Sequence, residues 1–337
     1  MVARRAELTP EPRLKHFLGR LLNIRSEEWP RLVFLYGMAL VALIGIGWGE
    51  TIVVAAFLNQ AGVKFLPWAF VISAVASIGA LFVYTGFADH VPNDKLFIWI
   101  LAISGIGIVV GLVLLSLNMV VGAYLLLYLI LSVPLADVYN VHWATYVNGY
   151  YDTRAAKRVI PVLSTSTRVA GIVAGLTMPL LNRALPPSAT ITIWLVSLAV
   201  MAAMIWLMPR VLKDKRAAGP GGMAALTPRV ERPSYFRNLE QGYAYIAASP
   251  FLRSLALATL LATIWLALIN YQTSAILLDR LRSTVAIANF VGILSAIANL
   301  IALPIQLFLL RRLIGRVGLG NASLVFPAGA VAVSGGL

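Results

Sequence analysis

Residues 32–58 read LVFLYGMALVALIGIGWGETIVVAAFL, a run of 27 positions with a single charge, Glu50. About 20 residues at 1.5 Å rise each cross the hydrocarbon core of a bilayer, so this run is long enough to span one. Lipid offers no partner to an unpaired backbone amide, and a segment of this kind must therefore satisfy its own hydrogen bonds as a helix.

Working outward, the same reading applies to 65–85, 96–117, 121–141, 159–181, 191–208, 251–278 and 285–310, and a ninth apolar run begins near Leu324 and stops at Leu337. Composition agrees: 60% of the residues are hydrophobic, 12% are charged and the mean hydropathy is +0.86, whereas soluble chains run near 25% charged. The expected fold is all-α, a polytopic membrane helix bundle with about eight complete transmembrane helices and a truncated ninth. Trp29, Trp68, Trp143 and Trp206 fall near the expected helix ends, where the amphipathic indole sits at the interface.

The net charge of +14 raises the question of nucleic acid, and its distribution argues against that partner. With the N-terminus placed in the cytoplasm, the inner segments hold 22 of the 27 Lys and Arg: seven before the first helix, one after the second, three after the fourth, eight around the central loop and three after the eighth. The outer segments hold Lys64, Arg183, Arg280 and Arg282, and Arg168 lies within an apolar run. This asymmetry sets the orientation, with the N-terminus and central loop inside, and fits a bacterial cytoplasmic (inner) membrane. Arg4 and Arg5 are not followed by an apolar stretch with a small-residue cleavage site, so the first helix is expected to act as its own insertion signal. The absence of cysteine removes disulfides, thiolate metal ligands and thiol nucleophiles.

Four parts are expected. Residues 1–31 form a basic amphipathic lead-in, with Leu14, Phe17, Leu18 and Leu21 on one face, suited either to an anionic leaflet or to the bundle itself. Residues 32–208 form a six-helix bundle, 209–250 a basic linker containing Gly219-Pro220-Gly221-Gly222, and 251–337 the incomplete start of a second bundle. Within the linker, Tyr235, Leu239, Tyr243 and Ile246 have helical spacing and point to a short surface helix before the seventh span.

An internal repeat supports the division. Arg31 precedes Glu50-Thr51 by 19 positions, and Arg253 precedes Gln272-Thr273 by the same 19, an offset of 222 residues. Two six-helix halves in parallel, joined by a basic loop, form the layout of major facilitator transporters, and twelve helices would complete it.

Two stretches carry a family resemblance. Gly86-Phe-Ala-Asp89-His-Val-Pro-Asn-Asp94-Lys95 resembles the loop between helices 2 and 3 of major facilitator transporters, which implies conformational roles for Gly86, Asp89 and Lys95. The segment 143–175, with Ala156-Lys157-Arg158, Pro161, Gly171 and Gly175, resembles the helix 4–5 region of the ATP/ADP translocase family and its bacterial relatives. Gly49-Glu50-Thr51-Ile52-Val53-Val54 is similar to a helix 1 segment of the same family. That family carries a basic residue just before the acidic position, for nucleotide phosphates, and this chain has Trp48-Gly49 there. The resemblance implies a transporter for a small anionic or nucleotide-like solute.

Charges inside apolar runs cost roughly 2.5–3.5 kcal/mol on insertion scales, so Glu50, Asp137 and Arg168 each need a partner, a wet cavity or a role. Arg168 lies ten residues beyond Arg158, about 15 Å at helical rise and so near the bilayer midplane. Its guanidinium suits a carboxylate or phosphate on a solute, or pairs structurally with Asp137 or Glu50. Glu50 is a candidate proton-coupling carboxyl or an interfacial carboxylate. Asp137 follows Pro134 and is expected to pair with Lys157 or Arg158. Asn270 and Gln272, at the repeat-related position, are expected substrate contacts or interhelical hydrogen bonders; helices 1, 4 and 7 line the cavity in the family resembled.

No catalytic or metal-ligating pattern occurs: His16, His90 and His142 are isolated, and there is no HExxH or phosphate-cradling glycine loop. The expected function is secondary active transport, with the lipid bilayer and a small-molecule solute as partners, no enzyme activity and no cofactor. The alternative is a sensor or anchor module whose regulatory domain follows the chain. The sequence sets no oligomeric state.

Overall fold

The structure, a computed structural model, describes residues 24–88, 90–211, 244–245 and 247–309, together with 313, 316–318 and 329. The lead-in up to residue 23, Asp89, most of the central linker and the ninth apolar run lie outside these residues. The described residues contain eight helices long and apolar enough to cross a membrane, and no strand. The chain is an integral membrane protein built as a helical bundle.

The helices are α1 (Trp29–Ala61), α2 (Leu66–Ala88), α3 (Asn93–Ser116), α4 (Val120–Asn148), α5 (Thr153–Ala184), α6 (Pro187–Val211), α7 (Pro250–Leu281) and α8 (Thr284–Leu309). α1, α4, α5, α6 and α7 reach past the apolar runs that announce them, because polar caps and interfacial residues extend the hydrogen-bonded ladder at both ends. Gly62, at φ 78°, ends α1 in a conformation that side chains resist. Ser249 caps α7, its hydroxyl accepting from the Leu252 amide, and Ser283 caps α8 by accepting from the Ala286 amide at 3.1 Å. Pro250 opens α7 as Pro30 opens α1, at the helical position where a missing N–H costs nothing.

Three helices change at proline: α8 passes into a π-helical stretch, Ile305–Leu309, directly after Pro304, and α4 and α5 are interrupted within the bundle. Pro134 lacks the N–H that an α-helix needs, and α4 widens into a π-helical stretch from Leu131 to Val138 before resuming at Tyr139. In α5, the turn at Ser164 separates Thr153–Leu163 from Thr165–Ala184, just after Pro161.

The core sits around α1, where Leu35, Met38, Ala39 and Ala42 are completely buried. Gly45 and Gly49, one turn apart, bring α1 against α6; a Cβ on Gly49 would stand 2.5 Å from the Trp194 ring, which is itself fully buried. On another side Gly47 meets Ala174 of α5. Small residues at such crossings let helices associate where lipid supplies no hydrophobic drive between them. Outward faces are apolar and exposed, as with Val75, Ile78, Ile106 and Leu180.

The end of the bundle that holds the start of α1 carries a polar network. Glu28 pairs with Arg158, and Arg31 donates to the Tyr150 carbonyl at 3.2 Å. The Tyr150 hydroxyl donates to Asp94 and to Tyr146, while the His142 ring bridges Tyr84 and the Asn93 carbonyl at 3.1 and 2.9 Å. These bonds tie the α2–α3 connection onto the end of α4. Asp152 caps α5, and the Ala155 amide that it receives at 2.6 Å holds its carboxyl below the usual range.

Candidate substrate cavity

The residues at 43, 46, 47, 50 and 54 recur at helical spacing and give α1 one face that is not packed against α6. That face forms one wall of a cavity of about 570 Å³, within the range of small-molecule sites. Across from it the widened part of α4 supplies Ser132, Leu135 and Ala136, flanked by Tyr128 and Tyr139. The remaining walls come from Leu66 and Phe70 of α2, Thr167 and Gly171 of α5, Asn270 and Ser274 of α7, and Ser295 and Asn299 of α8. Helices on both sides of the central linker therefore enclose one space.

Glu50 lines this cavity, and its accessible surface opens into it. Among the described residues no Lys, Arg or His lies within ion-pair distance of its carboxylate, and none lines the cavity. Thr51 beside it has its hydroxyl committed to the Gly47 carbonyl at 2.7 Å. Tyr128 of α4 stands within electrostatic reach of Glu50.

Tyr139 marks another part of the wall. It is 2% exposed, its ring stacks with Trp143, and its hydroxyl has no hydrogen-bond partner among the described residues. A buried hydroxyl without a partner costs about 1–3 kcal/mol, which a ligand group can relieve.

Arg168 stands at the edge rather than in the wall. Its Nη1 donates to Asn299 Oδ1 at 3.1 Å and its Nε to Gln306 Oε1 at 3.3 Å, and Gln306 donates in turn to Ser164 Oγ at 2.8 Å. These bonds run from α5 to α8, whose backbones approach closely at Gly171, Gly175, Gly292 and Ala296. Neither Glu50 nor Asp137 pairs with Arg168. Depth separates Glu50 from it: Gly47 lies against Ala174 and Trp48 donates to Thr177, so Glu50 stands near the level of residue 179, about 16 Å beyond Arg168 along α5.

Asp137 accepts from Ser77, a bond that joins α4 to α2. The expected pairing with Lys157 or Arg158 is not formed. Asp137 is eleven residues, roughly 16 Å, from the end of α4, while Lys157 and Arg158 stand in the first turns of α5. Arg158 takes Glu28 instead, and Lys157 is exposed.

Of the repeat-related pair, Asn270 enters the cavity wall and Gln272 does not. Two positions along a helix turn through about 200°, so the two cannot share a face; Ser274, four positions on, does share it. Gly86 ends in open space, with its carbonyl bonded to the His90 ring at 3.0 Å, and Lys95 is exposed. Asp89 lies outside the described residues.

Tyr128, Ser132, Tyr139 and Asn299 are cavity residues that sequence reading passed over. The helical spacing of Tyr128, Ser132 and Tyr139 within an apolar run was the available signal for the first three. Asn299 needed the α5–α8 pairing to be known. Among the described residues no group of three His, Cys, Asp or Glu side chains is placed to hold a metal ion.

Comparison of the chain with protein families, with curated proteins and with solved structures finds no match.

Proposed function

We propose that the chain belongs to a secondary active transporter of major facilitator type, which carries a small solute through alternating access at the cavity between α1, α2, α4, α5, α7 and α8. One observation carries this reading: a cavity of solute size, with polar groups on an apolar background, is enclosed jointly by helices from before and after the central linker. A site shared by two groups of helices can be opened to either side by rocking one against the other. The α5–α8 seam is the natural place for that motion, since it combines close backbone contact at small residues with side-chain bonds such as Asn182 to Asn289 at 2.7 Å and Gln306 to Ser164.

In this reading the end of the bundle bearing Glu28 and Arg158 faces the cytoplasm of a bacterial cell, which the excess of Lys and Arg in the segments at that end supports. Glu50, as a carboxyl in the cavity wall, is the group suited to alternate between proton-bound and ionised states during the cycle.

The chain has no cysteine, which allows a direct test. Cysteine pairs are introduced at Ser164 with Gln306 and, separately, at Asn182 with Asn289. In reconstituted vesicles, disulfide formation at either pair should stop solute uptake and reduction should restore it. Uptake that continues with both ends locked rejects alternating access at this seam.

A further inference from the structure

The charge inside the cavity points to the class of solute. Of the described residues that line it, only Glu50, Tyr128 and Tyr139 are titratable, and neither Lys nor Arg nor His is among them. The walls contributed by α5, α7 and α8 add hydroxyl and amide groups without charge, and α2 adds Leu66 and Phe70. Of the cations on the membrane part of α5, Arg168 is engaged with Asn299 and Gln306 across the seam, and Arg183, in the last turn, does not line the cavity. An anion beside Glu50 would meet a carboxylate with no cation in the surrounding wall, about 16 Å from Arg168 at the edge, and a charge left unpaired in an apolar site is costly.

A cation meets the opposite situation. The Glu50 carboxylate attracts it, while Tyr128 and Phe70 add aromatic faces of the kind that bind ammonium groups. Leu43, Ile46 and Leu131 provide apolar wall for an organic body. Tyr139 gives an independent pointer: the residue lines the same cavity, and its buried hydroxyl has no hydrogen-bond partner among the described residues. Eleven residues of α4 separate Tyr128, near Glu50, from Tyr139, a span of roughly 16 Å. One ammonium group cannot reach both, so the two features fit opposite ends of an elongated solute.

We infer that the cavity binds an elongated organic monocation, with its ammonium group at Glu50, its apolar body along α1 and α4, and a hydrogen-bonding group at Tyr139. This rests on the solute-cavity reading above and names the chemistry of its ligand.

The test uses the whole 337-residue chain in detergent, with radiolabelled tetraphenylphosphonium as the charge probe and ATP as the anionic rival. Saturable binding of tetraphenylphosphonium is expected, weakened at least tenfold in Glu50→Gln, partly kept in Glu50→Asp, unchanged in Arg168→Gln and not displaced by ATP. In the unaltered chain, tetraphenylphosphonium should slow labelling of Glu50 by dicyclohexylcarbodiimide about tenfold, a measurement that needs no variant to fold. A phenylalkylamine with a distal hydroxyl should lose several-fold affinity in Tyr139→Phe, while tetraphenylphosphonium should not.

Equal binding to the native chain and Glu50→Gln, absent protection of Glu50, or saturable ATP binding that requires Arg168 overturns the cation assignment. An unchanged affinity of the hydroxylated amine in Tyr139→Phe overturns the placement of its polar end. Cation binding without uptake into vesicles would instead remove the transport reading and leave this one standing, whereas uptake of an anion independent of Glu50 would do the reverse.

Discussion

Replacing Gly175 with alanine puts a methyl group where α8 already stands. The added carbon lies 2.8 Å from Ala296 Cβ and 3.0 Å from the Ala296 backbone nitrogen, and it also runs into the Gly292 carbonyl. Carbon atoms are comfortable at about 3.5–4.0 Å, so α5 and α8 must part by about 1 Å at this level. The obstacles are backbone and Cβ atoms, which cannot rotate aside. Overpacking of this kind costs about 1–3 kcal/mol, and the upper half of that range applies where close contact itself holds the helices together. Gly171 gives the matched comparison one turn earlier. A methyl there meets the Asn299 amide, with Cγ at 2.9 Å, and that side chain can swing away at the expense of its bond from Arg168. The loss is then about 1 kcal/mol. Reversible unfolding in mixed micelles, followed through tryptophan fluorescence, should show Gly175→Ala destabilised about twice as much as Gly171→Ala. Equal effects, or a neutral Gly175→Ala, would refute the backbone-contact account of the seam.

Three further outcomes follow from the polar network at the other end of the helices. Glu28 and Arg158 are both mostly buried, so a double-mutant cycle with Glu28→Gln and Arg158→Gln should give a coupling of about 1–2 kcal/mol, between exposed and buried pairs; a coupling near zero rejects the pair as a structural tie. His142→Phe leaves the Tyr84 hydroxyl and the Asn93 carbonyl without their bonds, which should cost about 1–3 kcal/mol and speed amide exchange at the start of α3, while unchanged stability and exchange would discount that bridge. Because the folded state holds the Asp152 carboxyl below its ordinary range of about 4, its contribution is fully present above that pH and is lost as pH falls through the depressed value. Asn caps a helix nearly as well without titrating, so the native chain should lose stability relative to Asp152→Asn below about pH 4; parallel profiles would count against this.

The helices were legible because apolar length is a local property: each of the eight complete spans read from the sequence appears as a helix. Register between helices is not local, and that is where the reading of the charges changed. Asp137 was expected to reach the α4–α5 turn, yet its depth in α4 leaves it beside Ser77 on a neighbour that no spacing rule identifies. Gln272 shared a repeat position with Glu50 but not a helix face with Asn270. His142, isolated along the chain, becomes a fully buried bridge once α2 and α3 fold onto α4. In each case the residue type was visible in the sequence and its partner was set by packing.

The three intramembrane charges thus separate by what each already holds. Asp137 has a hydroxyl from α2, and Arg168 has two amide oxygens from α8. Both are served by uncharged groups, which solvate the charge and fix helix pairs without neutralising it. Glu50 has neither a cationic partner among the described residues nor a packed neighbour in place of the cavity it faces. Since a bare carboxylate at this depth is costly, its charge must be met by a proton or by a cation that enters. Either answer makes the occupancy of the cavity depend on Glu50, and a charge-neutral replacement such as Glu50→Gln should therefore change ligand binding while sparing the stability of the bundle.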